Sequence, residues 1–229
     1  MSAAPLSGIR ACVFDAYGTL FDPASATARC QVSLDGNDAR LTALWRDKQL
    51  QYSWLRTIEG KHADFWQVTR EALDFALEAL GMGDPGLREH LMQLYLTLTP
   101  FPDAVDCLWR LRQMGLLTAI LSNGTPEMLG SMVEASQLGQ MFDALLSVEE
   151  AGIYKPYPSV YQLAVDRLGV PAQEIAFLSS NGWDAYGASS FGLRVVWCNR
   201  VGWPRERLPG APDREIRTLA ELPGMLGSA

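Results

Sequence analysis

Five short apolar runs decide what this chain can fold into. They are Ala11–Phe14, residues 116–121, Ala144–Ser147, Ile175–Ser179 and Arg194–Cys198. Runs of about 4–8 apolar residues rich in β-branched and aromatic types read as buried strands. From residue 100 onward they alternate with segments of helical period. One covers 102–114 and stops at Gly115, one opens at Thr125-Pro126, and one runs from Pro158 to about Leu168. Strands separated by helices imply a parallel sheet covered on both faces, with right-handed crossovers.

The alternation breaks once, after the first strand. Residues 22–99 read as helices throughout. Leu41, Leu44, Trp45, Tyr52 and Leu55 fall near one face of the first. Phe65, Val68, Ala72, Phe75, Ala76 and Leu80 mark a second, ended by Gly81. Asp84-Pro85 supplies the N-cap and first-turn preferences of a third, continued by Leu87, Leu91, Leu94 and Leu98. The fold class expected is α/β, a Rossmann-like doubly wound parallel sheet core with an inserted helical cap subdomain. Residues 1–21 and 100–229 would form the core, and 22–99 the cap.

Composition narrows the function. A net charge of −7 gives no basic face for nucleic acid, and an anionic substrate would need locally built donors. With only two histidines, His62 and His90, both read as solvated helix positions, a Ser-His-Asp triad or a histidine-rich zinc site is disfavoured. Cys12, Cys30, Cys107 and Cys198 have no metal-site spacing, and Cys12 and Cys198 lie in strand-like runs as buried thiols. A reduced, cytoplasmic protein is expected, without signal peptide, membrane span or cofactor.

In open parallel sheets, ligands sit beyond the carboxyl ends of the strands. Those ends deliver Asp15-Ala-Tyr-Gly-Thr-Leu20, Ser122-Asn123-Gly124, Lys155-Pro156 and Ser179-Ser180-Asn181-Gly182-Trp183-Asp184. Two carboxylates, a lysine and several hydroxyls converge on one edge of a sheet. Together these segments resemble the four motifs of the haloacid dehalogenase superfamily, along essentially the whole chain.

That superfamily consists mostly of phosphatases, and two departures decide against that chemistry. The resemblance places a second Asp, the general acid, at the position of Tyr17, whose phenol is too weak an acid for the task. A Gly-Asp pair that would supply a magnesium ligand is replaced by Ser179-Ser180. A halide leaves without a proton, so neither loss matters to a dehalogenase. The stretch Leu44-Trp45-Arg46-Asp47-Lys48-Gln49-Leu50-Gln51-Tyr52, with 179–184, is similar to the (S)-2-haloacid dehalogenases.

By that resemblance the reaction turns an (S)-2-haloalkanoate and water into the (R)-2-hydroxyalkanoate and halide, in a homodimer. Asp15 would be the nucleophile, favoured in its ionised form by Lys155. Asp184 would activate water, with Lys155, Thr19, Ser179 and Asn181 organising that water and Asp15. Arg46, from the cap, and Asn123 would receive the halide. Ser122 and the amides after Asp15, beginning at Ala16, would seat the substrate carboxylate. Tyr17, Leu50, Phe65 and Trp183 would wall the pocket, and Tyr161, at a motif position where the family has a tyrosine, would reach the site and contact substrate. Asp47 stands where related enzymes commonly carry Gln, and would either weaken halide binding or point to solvent. Tyr157 replaces a commonly acidic residue, a change of loop contact. The alternatives are a phosphatase of the same fold, a variant that cleaves C–F bonds in fluoroacetate, or a non-catalytic interaction protein.

Overall fold

The computed structural model describes residues 5–30, 34 and 36–227. In chain order the strands are β1 (Ala11–Phe14), β2 (Phe21–Asp22), β3 (Thr99–Pro100), β4 (Leu117–Ser122), β5 (Ala144–Ser147), β6 (Ile175–Ser179), β7 (Arg194–Cys198) and β8 (Arg214–Ile216). The helices are α1 (Ala24–Ala28), α2 (Asp38–Glu59), α3 (Phe65–Ala79), α4 (Pro85–Tyr95), α5 (Pro102–Gln113), α6 (Pro126–Ala135), α7 (Pro158–Leu168) and α8 (Gly182–Phe191).

Six strands form a parallel sheet in the order β5-β4-β1-β6-β7-β8. Every residue of β1 is buried, as a strand covered on both faces requires. The chain winds outward from β1 through β4 to β5, then crosses back to β6 and winds the other way. β1 is therefore the topological switch point, where such sheets open a crevice. Asp15 follows it directly, its amide continuing the ladder by donating to the Leu178 carbonyl at 2.8 Å.

The helical insertion leaves and re-enters at a two-stranded antiparallel ladder, Phe21 opposite Pro100 and Asp22 opposite Thr99. Within it, caps fix the helix starts. The Asp64 side chain accepts from the Gln67 amide, and that of Asp84 from the Gly86 amide, both at 2.8 Å.

Helix α2 packs on α3 with a stripe that departs from the expected one. The buried residues are Leu41, Trp45, Gln49 and Ser53, a row of i+4 neighbours. Such a row advances about 40° around the axis at each step. By Ser53 the covered face has turned away from Leu55, which is 47% exposed. His62 also departs from expectation. It lies in the loop before α3, and its Nε2 pairs with Glu149 Oε2 at 2.8 Å. Cys12, Cys107 and Cys198 are buried free thiols, and burial pushes the Cys107 thiol up to about 12. No helix among the described residues is long and apolar enough to cross a membrane.

Candidate active site

The loop after β1 folds back on itself. Gly18 adopts a left-handed φ of +87°, and the amides of Thr19, Leu20 and Phe21 all donate to the Ala16 carbonyl. This turn brings the Thr19 hydroxyl onto Asp15 Oδ2 at 3.1 Å. Thr19 Oγ1 in turn accepts from the Ser180 amide at 2.8 Å, which ties the first loop to the end of β6. Asn181 Nδ2 donates to the same Asp15 oxygen at 2.8 Å and to the Tyr17 carbonyl at 3.0 Å. Asp15 is 5% exposed, so these bonds work in a poorly screened environment.

Lys155 approaches from the other side. Its ammonium donates to Asp15 Oδ1 at 3.1 Å and to Asp184 Oδ2 at 3.0 Å, with the lysine side chain 1% exposed. Burial alone would drive the lysine neutral. The charges of Asp15 and Asp184 outweigh it and hold its pKa above the ordinary value. Asp184 is shifted upward, chiefly by burial, with Lys155 opposing and Asp15 reinforcing. Asp184 is thus a buried carboxylate of raised proton affinity, which suits a base.

Most of the expected site residues meet here. Tyr161 is among them: its hydroxyl donates to Asp184 Oδ1 at 2.8 Å, so it orients that carboxylate. Ser179 acts at one remove, accepting from the Asn181 amide at 3.2 Å and donating to the Asn181 carbonyl at 3.4 Å. Asn123 Oδ1 accepts from the Lys155 amide at 3.2 Å, which leaves its Nδ2 as a donor. Ser122, fully buried at the end of β4, accepts from the Gly124 amide at 3.1 Å. The backbone amides of Gly18, Thr19, Leu20 and Phe21 are taken up inside the loop, so those of Ala16 and Tyr17 are the donors left to an anion.

The insertion closes over this floor. The Tyr17 ring lies 5.6 Å from that of Phe65 and 5.4 Å from that of Tyr95, and the Arg46 guanidinium sits 5.9 Å from the Tyr17 centroid. Trp54 meets Trp183 edge-on at 5.3 Å, and Leu50 is half-buried on α2. Tyr154 donates its hydroxyl to the Ala63 carbonyl, and its amide donates to Thr57 Oγ1 at 3.3 Å. Asp47 is exposed to solvent. Tyr157 is 50% exposed at the start of α7.

Sequence reasoning gave no role to Gln49, Thr69 or Tyr95. Gln49 Oε1 accepts from Arg46 Nη1 at 2.7 Å and from the Tyr95 hydroxyl at 3.2 Å, while its Nε2 donates to Thr69 Oγ1 at 2.7 Å. The spacing of Arg46 and Gln49, three apart on one helix, was the available signal.

A doubly wound sheet with a buried carboxylate at its switch point, a lysine between two acids and a helical insertion defines a hydrolase of the haloacid dehalogenase-like class, whose family profile matches residues 9–192. Within that class the chain belongs to the (S)-2-haloacid dehalogenase family. It is 47% identical to (S)-2-haloacid dehalogenase 1 of Pseudomonas sp. (strain CBS-3), over 95% of this chain and 96% of that one. Among solved structures, a dehalogenase with an intermediate complex superposes at a TM-score of 0.94 with 44% identity, covering 97% and 99% of the two chains. The L-2-haloacid dehalogenase from Xanthobacter autotrophicus with chloropropionic acid covalently bound gives a TM-score of 0.88 and 40% identity, covering 94% and 97%.

Proposed function

We propose that this chain hydrolyses short-chain (S)-2-haloalkanoates to (R)-2-hydroxyalkanoates and halide, inverting the stereocentre through an ester on Asp15. The observation that carries this reading is the buried Asp15 carboxylate. Thr19 and Asn181 hold Oδ2, while Oδ1 faces the single donor Lys155 and keeps a lone pair for attack. Oδ1 bonds the α-carbon as the carbon–halogen bond breaks, and the electron pair leaves with the halide. Water then attacks the ester carbonyl carbon and gives its proton to Asp184. As the carbonyl re-forms, the alkoxy oxygen takes that proton from Asp184 and departs as the product hydroxyl, and the second water proton is released to solvent from the regenerated Asp15 carboxyl, so one oxygen of Asp15 leaves with product and water replaces it.

The remaining roles follow the geometry. Ser122 and the amides of Ala16 and Tyr17 seat the substrate carboxylate. Arg46 and Asn123 Nδ2 receive the halide, with Tyr17, Leu50, Phe65 and Trp183 around the alkyl group. Lys155 supplies the cation between the two carboxylates, so the chemistry proceeds without a metal. The insertion, residues 22–99, acts as the lid. Four free cysteines suit a reducing cytoplasm, and a homodimer formed through the exposed Leu55 and Ile58 of α2 fits the apolar surface there.

Halide release from each enantiomer of 2-chloropropionate, in EDTA, is the direct test. The (S) form should turn over and the (R) form should not. After a single turnover in 18O-labelled water, the label should appear in the Asp15 peptide. Label found only in the product would overturn the ester route, and turnover abolished by chelation would overturn the reaction class.

A further inference from the structure

Arg46 can receive a departing halide only if its guanidinium is held in place with its charge uncancelled. A flexible arginine would lose conformational freedom on meeting the halide, and one paired to a carboxylate would present little net charge. Around Arg46 the cap supplies neither problem. Its Nη1 donates to a neutral amide oxygen, Gln49 Oε1, at 2.7 Å, and Gln49 is 1% exposed.

The orientation of that amide is itself dictated. Thr69 Oγ1 donates its only proton to the Phe65 carbonyl at 2.6 Å, four residues back along α3. What remains on the Thr69 hydroxyl is acceptor capacity. The Gln49 NH2 must therefore face Thr69, at 2.7 Å, and its carbonyl must face Arg46. The Tyr95 hydroxyl donates to the same Gln49 oxygen at 3.2 Å, reinforcing the choice, and Trp45 Nε1 donates to the Thr69 carbonyl at 2.8 Å, locking α2 against α3. Thr69 is completely buried, so no water competes for these bonds.

From this relay we infer that Gln49, oriented by Thr69, is a positioning residue for the leaving group: it aims a fully charged Arg46 at the halide and thereby sets how well the enzyme handles poor leaving groups. The inference rests on the dehalogenase reading above and on Arg46 as halide receiver. Charge on the halide develops in the transition state, so help from Arg46 should matter more for chloride than for bromide, the weaker base. The substrate carboxylate is seated elsewhere, so KM should move little.

The test compares kcat and KM for (S)-2-chloro- and (S)-2-bromopropionate, with inhibition by added bromide, in Gln49→Glu, Gln49→Leu, Thr69→Val and Thr69→Ser. Gln49→Glu keeps the shape and cancels the guanidinium charge. It should lower kcat for the chloro substrate about tenfold more than for the bromo substrate and weaken bromide inhibition about tenfold, as expected for loss of one charge-assisted interaction. Gln49→Leu and Thr69→Val should shift both readouts the same way, and Thr69→Ser, which keeps the hydroxyl, should restore what Thr69→Val loses. Chloro-to-bromo ratios and bromide inhibition unchanged in Gln49→Glu would overturn the proposal. So would equal losses on both substrates, which mark a structural role. A wild-type enzyme that releases no halide would instead overturn the underlying reading, so the two failures are distinguishable.

Discussion

Burial raises the proton affinity of Asp184 against the pull of Lys155, while both carboxylates hold the Lys155 proton on beyond the usual lysine range. The base must be ionised to accept the proton of water. Turnover should therefore fall on the acid side with a midpoint above the ordinary carboxylate value of about 4. On the alkaline side no loss is expected before about pH 10, because the ammonium persists. A pH profile of ester hydrolysis, followed as hydroxyacid formation in a single turnover, checks both limbs, and an acid midpoint at or below 4 would contradict the buried base. Gly187 offers a second test at this scale. A Cβ there would meet Pro156 Cβ at 2.6 Å and the Tyr161 hydroxyl at 2.8 Å, so Gly187→Ala should push Tyr161 off Asp184. Steady-state turnover should drop on the order of tenfold or more, while halide release in the first turnover keeps its wild-type rate, because only ester hydrolysis uses Asp184. First-turnover release slowed in proportion to the steady state would contradict this division of labour. Residues of this kind were legible when they stood at strand ends. Asp15, Ser122, Lys155 and Asp184 needed only the alternation of strand and helix to be placed on one edge. Gln49, Thr69 and Tyr95 were not legible, because their meeting depends on how α2, α3 and α4 are rotated about their axes.

At the scale of elements, the hinge between sheet and insertion is held by a group outside it. Arg200, just beyond β7, grips Asp103 with two bonds of 2.8 and 3.0 Å, donates to the Thr19 carbonyl at 2.9 Å and stacks 4.0 Å from the Phe101 centroid. Phe101 also donates its amide to the Leu20 carbonyl at 2.8 Å. Burial tends to raise the Asp103 pKa, but bonds from Arg200, Thr218 and the Leu219 amide win and leave it lowered. A lowered carboxylate stabilises the fold above the unfolded value, and that stability disappears as pH falls through the folded value. Asp103→Asn should thus reduce stability at pH 7 by about 1–3 kcal/mol, with the gap to wild type closing below about pH 4. Urea melts at both pH values check it, and a gap independent of pH would reject the ionic account. Strands β1 and β4 to β7 and helices α5 to α7 were predictable from apolar runs, capping residues and glycines. The ladder of β2 and β3, two residues in each, was too short to show a period, and β8, Arg-Glu-Ile, carries two charges where an edge strand tolerates them.

For the whole molecule, assembly turns on the exposed side of α2. Leu55 is 47% and Ile58 80% exposed on α2, an apolar surface that a second copy would cover. Light scattering should give twice the 25.2 kDa chain mass for wild type, and the double change Leu55→Glu with Ile58→Glu should give the single mass. A wild-type monomer, or a variant that stays dimeric, would remove α2 from the interface. The sequence could say that a helix lay here but not which side faced out, because the buried row drifts around the axis as it follows α3.

The pairing of Phe21 with Pro100 brings the two ends of the insertion side by side. Seen from the sheet, everything between them is a closed loop, and the cost of closing a loop grows only slowly with its length. The lid can therefore lengthen, shorten or be exchanged for another between those two residues without disturbing the register of the strands beneath. A chimaera that swaps only 23–98 is the natural way to graft a new chamber onto an unchanged sheet.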